Sequence, residues 1–326
     1  MKTGIVIGKF YPPHKGHGYL IEYAQKHVDL LTVIVCHRDD QKIHGETRAQ
    51  WLRTIYPNIT VMVVQDIGKD DDSKAWAIYT REFLGYVPDK VFTSEDYGYS
   101  YSKFLGSQHV MVDKNRNTVP VSATKIRNDP LGYLEFLEPC VRAYFTKRIC
   151  IVGAESTGTT TLAKALAQHY DTVWVPEFGR MYSEAKMLSS KKSEWNTSEF
   201  VFIAREQNRM EDYFSEQTNR NILFCDTDSF ATSLWHERYM GFISKKVSAE
   251  NTGRACDLYL LTGDEIPFKQ DGTRDGEHIR HAMHKRFEEE LTKNKKQFVL
   301  ISGDPKQRLE KAIKECERVL EIPFQR

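Results

Sequence analysis

Two histidines near the amino terminus stand where a strand should end and a helix should begin. Residues 8–17 read Gly-Lys-Phe-Tyr-Pro-Pro-His-Lys-Gly-His and directly follow the apolar run Thr3–Ile7. His14 and His17 are three residues apart around Gly16. The first turn of a helix offers unpaired backbone N–H groups, and the helix dipole favours negative charge there. The pattern therefore predicts an anion site.

A second cluster of hydroxyl and basic residues follows the last predicted strand of the first half. Residues 121–127 read Val-Ser-Ala-Thr-Lys-Ile-Arg. Ser122 and Thr124 offer hydroxyl and N–H donors, and the fork of Arg127 suits β- and γ-phosphates. With the histidines as donors to α-phosphate oxygens, the two motifs indicate nucleotidyl transfer, in which the enzyme aligns its reactants and neutralises charge.

A glycine-rich loop opens the second half directly after the apolar run Arg148–Val152. Gly153 and Gly158 have the spacing of a Walker A phosphate loop, and Thr160 supplies its Mg²⁺-reaching hydroxyl. Thr159, however, stands where the pattern has lysine. The missing charge is worth about 4 kcal/mol of raw attraction at about 4 Å with an effective dielectric constant of about 20. The predicted nucleotide-binding residues of this loop are Gly153, Glu155, Ser156, Thr157, Gly158, Thr159, Thr160 and Thr161.

Three carboxylates of the second half follow predicted strands. Asp226 and Asp228 come after the apolar run Asn221–Cys225, where they suit Mg²⁺ coordination together with Thr160. Glu177 suits a base or a ligand for a ribose hydroxyl. Helix capping and ion pairing are the structural alternatives for these carboxylates.

Two arginines are candidates to replace the missing lysine charge. Arg274 and Arg280 lie in and after a glycine-bearing segment, which predicts a mobile lid that closes onto the phosphates. A solvated turn is the alternative. Lys164 is a poor substitute for a lysine at position 159, because it lies more than one helical turn further along and on a different face.

Apolar runs alternate with amphipathic segments along the chain, which predicts two α/β domains in tandem, over residues 1–140 and 141–326. Such sheets are parallel, are covered on both faces, and bind ligands beyond the carboxyl ends of their strands. The predicted strands are Thr3–Gly8, Leu30–Cys36, Ile59–Val64, Lys90–Thr93, His109–Val112, Arg148–Val152, Thr172–Val175, Ile222–Cys225, Leu258–Thr262 and Phe298–Ser302. The predicted helices are Gly16–His27, Thr47–Tyr56, Lys74–Leu84 and Thr160–Tyr170.

Composition excludes several classes of protein. A net charge of +1, from 46 basic and 45 acidic residues, lacks the one-sided basic footprint of a nucleic-acid binder. The six cysteines are scattered and predict free thiols. The chain opens directly into a strand, and its apolar runs are too short to span a bilayer, so we expect a cytoplasmic protein without membrane insertion.

The motifs at 8–17 and 121–127 resemble those of nucleotidyltransferases with an (H/T)xGH signature. With the second half, the chain resembles the bifunctional nicotinamide-nucleotide adenylyltransferase/ribosylnicotinamide kinase family of NadR type. The resemblance covers nearly the whole chain and implies a Rossmann-like nucleotidyltransferase domain followed by a P-loop kinase-like domain. It implies ATP with Mg²⁺, nicotinamide mononucleotide, ribosylnicotinamide and NAD as ligands, no tightly bound organic cofactor, and compatibility with a homo-oligomer.

The resemblance also implies roles for individual residues. Gly8, Lys9 and Phe10 match the nucleotide-binding part of the first motif. Trp76 lies where such enzymes place an aromatic ring against the nicotinamide, and packing of its helix on the sheet is the alternative. Some proteins of this type carry an amino-terminal DNA-binding segment. Because the first strand begins at Thr3, we expect no repressor role.

Two other functions remain open at this stage. The departure at Thr159 puts phosphoryl transfer in doubt and leaves nucleotide binding intact, so the second domain is alternatively a sensor that binds ATP or ADP without chemistry. The first domain alternatively adenylylates another phosphate acceptor, such as a pantetheine or glycerol phosphate. The sequence does not decide between nicotinamide and nicotinic acid, the oligomeric state, or coupling between the two sites.

Overall fold

The chain forms two compact units, Met1–Phe145 and a second that begins at Thr146. The computed structural model describes residues 1–189, 194–218, 220–254, 256–270 and 276–322, with only the backbone described at 188 and 189. The predicted class, two parallel α/β domains in tandem, is confirmed. The predicted boundary between residues 140 and 141 falls inside the last helix of the first unit, Pro139–Tyr144.

A parallel five-stranded sheet of order β3-β2-β1-β4-β5 forms the first unit. Its central strand β1 carries four consecutive buried residues, as expected for a strand that is covered on both faces. The predicted strands are confirmed to within about two residues at their ends. The observed strands are β1 (Thr3–Gly8), β2 (Leu30–His37), β3 (Thr60–Gln65), β4 (Lys90–Thr93) and β5 (Gln108–Met111).

Helices cover both faces of this sheet. The three predicted helices are confirmed, whereas Tyr97–Leu105 was not predicted, because its tyrosines and serines are weak helix formers. Tertiary packing stabilises it: Tyr101 is buried and donates a hydrogen bond to Thr80 at 2.8 Å. The helices are α1 (Lys15–Gln25), α2 (Gly45–Ile55), α3 (Ser73–Leu84), α4 (Tyr97–Leu105), α5 (Ala123–Asn128) and α6 (Pro139–Tyr144), with a 3₁₀ segment at Leu131–Phe136.

The second unit repeats this architecture with strand order β10-β9-β6-β8-β7, all parallel. Its described strands are β6 (Lys147–Val152), β7 (Trp174–Val175), β8 (Ile222–Asp226), β9 (Leu258–Thr262) and β10 (Phe298–Ile301). Its described helices are α7 (Thr159–His169), α8 (Phe178–Ser189), α9 (Thr197–Gln217), α10 (Ser229–Met240), α11 (Lys245–Ala249), α12 (Arg280–Lys293) and α13 (Pro305–Glu321), with a 3₁₀ turn at Glu277–Ile279.

In each unit, the central strand leads through a glycine-bearing loop into a helix whose first turn stands at the carboxyl edge of the sheet. This edge is where ligands of open α/β sheets bind. Among the described residues, none of the helices is both long and apolar enough to cross a membrane. All six cysteines are free thiols, as predicted.

The core of the first unit permits a direct test of its packing. Phe92 on β4 is fully buried, whereas Phe104 on α4 is 48% exposed. Phe92→Ala should lower the free energy of unfolding by about 3–5 kcal/mol, because it removes apolar contacts and leaves a cavity. Phe104→Ala, the matched control, should cost clearly less. Urea unfolding followed by circular dichroism measures both, and equal losses would contradict the assignment of this core.

Candidate functional site

The first candidate site is a cavity of about 830 Å³ at the carboxyl ends of β1 and β4. The two predicted motifs, more than one hundred residues apart in sequence, both line it. The predicted site residues in its wall are Gly8, Lys9, Phe10, His14, His17, Trp76, Ser122, Thr124 and Arg127. The structure therefore brings together every residue predicted for the first domain.

His14 caps helix α1 through its imidazole. Its Nδ1 accepts hydrogen bonds from the backbone N–H groups of Gly16 (3.1 Å) and His17 (3.3 Å). Because Nδ1 accepts, the neutral ring carries its proton on Nε2. A Cβ atom at position 16 would lie 3.0 Å from the His14 ring, so glycine leaves room for the cap. The cap thus fixes which nitrogen of His14 donates.

Burial keeps the two histidines neutral. Burial, with a smaller effect of the Arg116 charge, lowers the pKa of His14 from 6.5 to about 4. Burial and the charges of His14 and Arg116 lower the pKa of His17 well below its usual range. The two rings stack with centroids 3.7 Å apart, and Phe10 packs against His17 at 4.9 Å. An anion near them would raise both pKa values, because negative charge favours the imidazolium.

Arg127 joins the second motif to the first. One terminal nitrogen donates to the carbonyl oxygen of Tyr11 at 2.6 Å, and the other to Oγ1 of Thr124 at 3.0 Å. The guanidinium also lies over the Tyr11 ring, 4.9 Å from its centroid. Ser122 caps helix α5, since its Oγ accepts from the N–H of Lys125. The fork of Arg127 is therefore held at the cavity wall.

A fully buried arginine holds the loop between β1 and α1. Arg48 donates to the carbonyl oxygen of Lys9 and, at 3.1 Å, to that of Cys36. Burial lowers the pKa of Arg48 to about 10. The Lys9 ammonium pairs with Asp70 at 3.3 Å and with Asp66 at 3.8 Å. The first loop is thus fixed through its backbone, and its lysine is neutralised by carboxylates at the cavity.

Trp76 both lines the cavity and packs on the sheet. Its Nε1 donates to the carbonyl oxygen of Lys69 at 3.0 Å, and its ring meets Tyr79 edge-on at 6.0 Å. Its indole also packs against a buried cluster of the sheet. Both interpretations of Trp76 fit this geometry, and contact with a pyridinium ring stays a prediction.

The second candidate site is a cavity of about 220 Å³ around the loop that leads from β6 to α7. Gly158 adopts a φ of +87°, a conformation that side chains disfavour. Oγ1 of Thr157 donates to the carbonyl oxygen of Ala154 at 2.7 Å and so closes the loop from inside. Arg308, which is buried, donates to the carbonyl oxygens of Thr157 (2.7 Å) and Gly263 (2.9 Å). The loop has the form of a phosphate cradle.

Thr160 and Asp226 meet at the floor of this cavity, where Oγ1 lies 2.5 Å from Oδ2 of the carboxylate. Burial raises the pKa of Asp226, and hydrogen bonds from Thr160 and Thr159 oppose that rise. A hydroxyl and a carboxylate at one point are oxygen ligands of the kind that Mg²⁺ prefers. These two side chains therefore fit the predicted metal.

Asp228 does not line the cavity, although the sequence predicted it as a second metal ligand. It caps helix α10 by accepting from the N–H of Ala231 at 2.9 Å, and it accepts from the Tyr259 hydroxyl at 2.6 Å. Both of its oxygens are thus engaged in a buried network. The physical reason for the difference is that β8 ends at Asp226 and Thr227 adopts a φ of +72°. The alternation that would place residues 226 and 228 on one face of a strand therefore does not continue to Asp228. We assign Asp228 a structural role.

Arg280 also differs from its prediction as a lid residue. It is 9% exposed and donates to the carbonyl oxygens of Ile266 (2.6 Å) and Ser156 (3.0 Å). Its two terminal nitrogens therefore support the phosphate loop, because both donate to carbonyl groups. Arg274 lies outside the described residues. Glu155 accepts from Arg238 at 2.9 Å and from the N–H of Gly276 at 2.8 Å.

Besides the phosphate loop, the cavity is lined by Glu177, Arg180 and aromatic rings. Val175 on β7 pairs with Cys225 on β8, so residues just after β7 lie beside Asp226. Trp195 and Tyr239 line the same cavity with centroids 5.4 Å apart. The predicted Glu177 thus lies in the same cavity as Thr160 and Asp226.

Sequence reasoning missed several residues of the two sites. Arg180 follows a predicted strand in the segment Glu177-Phe-Gly-Arg, a position that could have singled it out. Arg116 lies in the loop after β5, where basic residues can reach a cavity edge. Arg48 and Arg308 carry no such signal, since each occupies a helix and resembles an ordinary surface arginine. Trp195, which precedes α9, and Tyr239 in α10 also carry no such signal, because only packing brings them together.

Comparison with known proteins defines the class of each domain. A family model described as cytidylyltransferase-like matches residues 5–129, and a model described as AAA domain matches residues 148–308. The protein therefore combines a nucleotidyltransferase-type domain with a P-loop domain.

Two relatives match this chain along most of its length. The trifunctional NAD biosynthesis/regulator protein NadR of Escherichia coli is 29% identical over 325 residues, which cover 92% of this chain and 79% of that protein. The NadR protein of Salmonella typhimurium is 28% identical over 323 residues, which cover 91% of this chain and 78% of that protein. The chain is a NadR-like protein.

Solved structures support the fold over the whole length. A NadR protein in complex with NR superposes with a TM-score of 0.80 and 21% identity, covering 100% of this chain and 98% of that one. A NadR protein in complex with NAD and AMP-PNP gives a TM-score of 0.77, 21% identity and the same coverage. At this identity the similarity establishes the arrangement of each domain's elements.

The lowered pKa of His14 predicts a pH dependence of stability. The unfolded chain keeps a pKa of 6.5, so between about pH 4 and 6.5 it binds more protons than the folded chain. The contribution of neutral His14 to the free energy of unfolding is therefore fully present above pH 6.5. It falls towards pH 4 by up to about 3 kcal/mol, at about 1.4 kcal/mol per pKa unit.

His14→Asn tests this expectation, because asparagine keeps a capping oxygen and does not titrate. Urea unfolding of the variant should depend less steeply on pH between 4 and 6.5 than that of the native protein. His27→Asn, at an exposed position, is the matched control. If the free energy of unfolding of His14→Asn depends on pH as steeply as that of the native protein, His14 is not the buried neutral group.

Proposed function

We propose that the first domain transfers the adenylyl group of ATP to nicotinamide mononucleotide, giving NAD and pyrophosphate. A phosphate oxygen of the mononucleotide forms a bond to the α-phosphorus of ATP. The bond from that phosphorus to the bridging oxygen breaks, and pyrophosphate leaves with the electron pair. The acceptor phosphate is already ionised, so the protein's task is alignment and charge neutralisation.

The observation that carries this proposal is that His14, His17, Ser122 and Arg127 line one cavity. Nε2 of His14 is a fixed N–H donor for an α-phosphate oxygen, and His17 lies stacked beside it. Arg127 suits the β- and γ-phosphates, which become the leaving pyrophosphate. Trp76 in the cavity wall suits the cationic pyridinium ring of the acceptor. The names of the relatives, which include NAD biosynthesis, agree with this assignment.

For the second domain, the proposed reaction is phosphorylation of ribosylnicotinamide to nicotinamide mononucleotide. The primary hydroxyl oxygen of the riboside bonds to the γ-phosphorus of ATP, the bond to the β-phosphate oxygen breaks, and ADP leaves with the electron pair. Glu177 lies in the cavity and would accept the hydroxyl proton. Thr160 and Asp226 would hold Mg²⁺, which enters with ATP and neutralises phosphate charge. Trp195 and Tyr239, which line the cavity, would pack against the base.

Other parts of the assignment rest on the sequence. We propose no tightly bound organic cofactor and no nucleic-acid partner. A cytoplasmic location, without membrane insertion, and compatibility with a homo-oligomer remain parts of the same proposal.

The adenylyl transfer is tested with purified protein, Mg²⁺, ATP and nicotinamide mononucleotide, with NAD and pyrophosphate as the readouts. His17→Ala should lower kcat by about 10²–10³-fold, because one donor to the developing phosphate charge is lost. His27→Ala, at an exposed position, should keep native turnover. Folded native protein that forms no NAD would refute the assignment. Pyrophosphate release with a pantetheine or glycerol phosphate, and none with the mononucleotide, would redirect it to another acceptor.

Phosphorylation is tested with ribosylnicotinamide and ATP, with nicotinamide mononucleotide and ADP as the readouts. Asp226→Asn should lower kcat by about 10²-fold or more, because the metal-binding carboxylate is lost. Asp171→Asn is the matched control, since the Asp171 side chain is 87% exposed and its ion pair with Arg220 lies at the surface. ATP binding without turnover by the native protein would indicate a nucleotide sensor instead.

A further inference from the structure

The second cavity has an unusual charge balance for a nucleotide site. Its described lining contains three carboxylates, those of Glu155, Glu177 and Asp226. The position where Walker A loops carry lysine is Thr159. A triphosphate that approaches these carboxylates needs a cation besides the one that accompanies it. The structure must therefore supply positive charge from another element if the proposed phosphorylation takes place here.

Three nearby basic residues are committed elsewhere. Lys164 lies over the Trp174 ring, 5.1 Å from its centroid, and does not line the cavity. Arg280 and Arg308 donate to loop carbonyl oxygens, those of Ser156 and Thr157, and so approach the loop from the side away from the cavity. Neither arginine lines the cavity. Their contacts shape the loop and do not offer donors to a phosphate.

Arg180 differs from these residues in position. Among the described residues that line the cavity, it is the single arginine or lysine. It lies in the first turn of α8, directly after the strand that pairs with β8, at whose end Asp226 stands. The Arg180 charge also opposes the rise in the pKa of Asp226. Its Nε donates to Glu184 one turn along the helix at 2.9 Å, and the side chain is 41% exposed.

We propose that Arg180 is a catalytic residue of the second domain. From α8 it supplies the phosphate-binding cation that the loop lacks, because Thr159 stands where Walker A loops have lysine. This inference rests on the proposed phosphorylation. As the γ-phosphoryl group moves to the riboside hydroxyl, ADP takes the electron pair of the broken P–O bond. The guanidinium of Arg180 donates to oxygens of the β- and γ-phosphates, where that negative charge gathers.

A double-mutant cycle tests whether the two positions share one role. Arg180→Gln should lower kcat for phosphorylation by about 10²–10³-fold, and Arg180→Lys by less, because lysine keeps the charge and loses the fork. Thr159→Lys in the Arg180→Gln background should restore at least about tenfold of that loss. The same Thr159→Lys change in the native protein should give no comparable gain.

Controls separate this inference from the proposed function and from folding. Lys164→Ala is the matched removal of another positive charge that lowers the pKa of Asp226, and it should keep native kcat. Circular dichroism and formation of NAD by the first domain report whether each variant is folded. If the native protein does not phosphorylate the riboside, the proposed function fails. If it does and Arg180→Gln keeps native kcat, or if Thr159→Lys gives equal gains in both backgrounds, the Arg180 assignment fails. A loss confined to Arg274→Ala would assign the cation to that residue.

Discussion

In each unit, the loop that follows the central strand depends on a buried arginine that binds one of its carbonyl oxygens. Arg48 holds the carbonyl of Lys9 in the first unit, and Arg308 holds that of Thr157 in the second. In a trans peptide the C=O and the following N–H point in opposite directions. Fixing a carbonyl on the inner side therefore turns the next N–H outward. Burying a cation is costly, and carbonyl oxygens offset part of that cost at both arginines. Arg48 also donates to the amide oxygen of Gln41, and Arg308 also pairs with Glu265, each at 2.7 Å.

The linings of the two cavities differ in charge. In the first, burial keeps His14 and His17 neutral, and fixed positive charge comes from arginines in the lining such as Arg116 and Arg127. In the second, carboxylates outnumber basic groups in the described lining. Its phosphate loop retains the backbone cradle and the hydroxyl of Thr160. In the part of the lining that the structure describes, Arg180 stands against three carboxylates.

A common architecture explains why the two sites look alike in outline. Each follows the central strand of a parallel sheet, at the edge where the first turn of a helix presents N–H groups. The side chains available at each site then depend on which residues follow the neighbouring strands at that edge. The first unit brings helix α5 with Ser122 and Arg127, and the second brings Asp226 from β8 and Glu177 from the segment after β7.

The sequence by itself determined the strands, their parallel arrangement and the two loops, because buried strands and glycine turns are local patterns of residue type. It also identified His14, His17 and Arg127, whose spacing carries chemical meaning. Tertiary structure alone decided what distant side chains face. Asp228 and Arg280 resembled ligands in sequence and became a helix cap and a loop support. Side-chain direction depends on register and packing between elements, and these contacts join residues that sequence spacing does not relate.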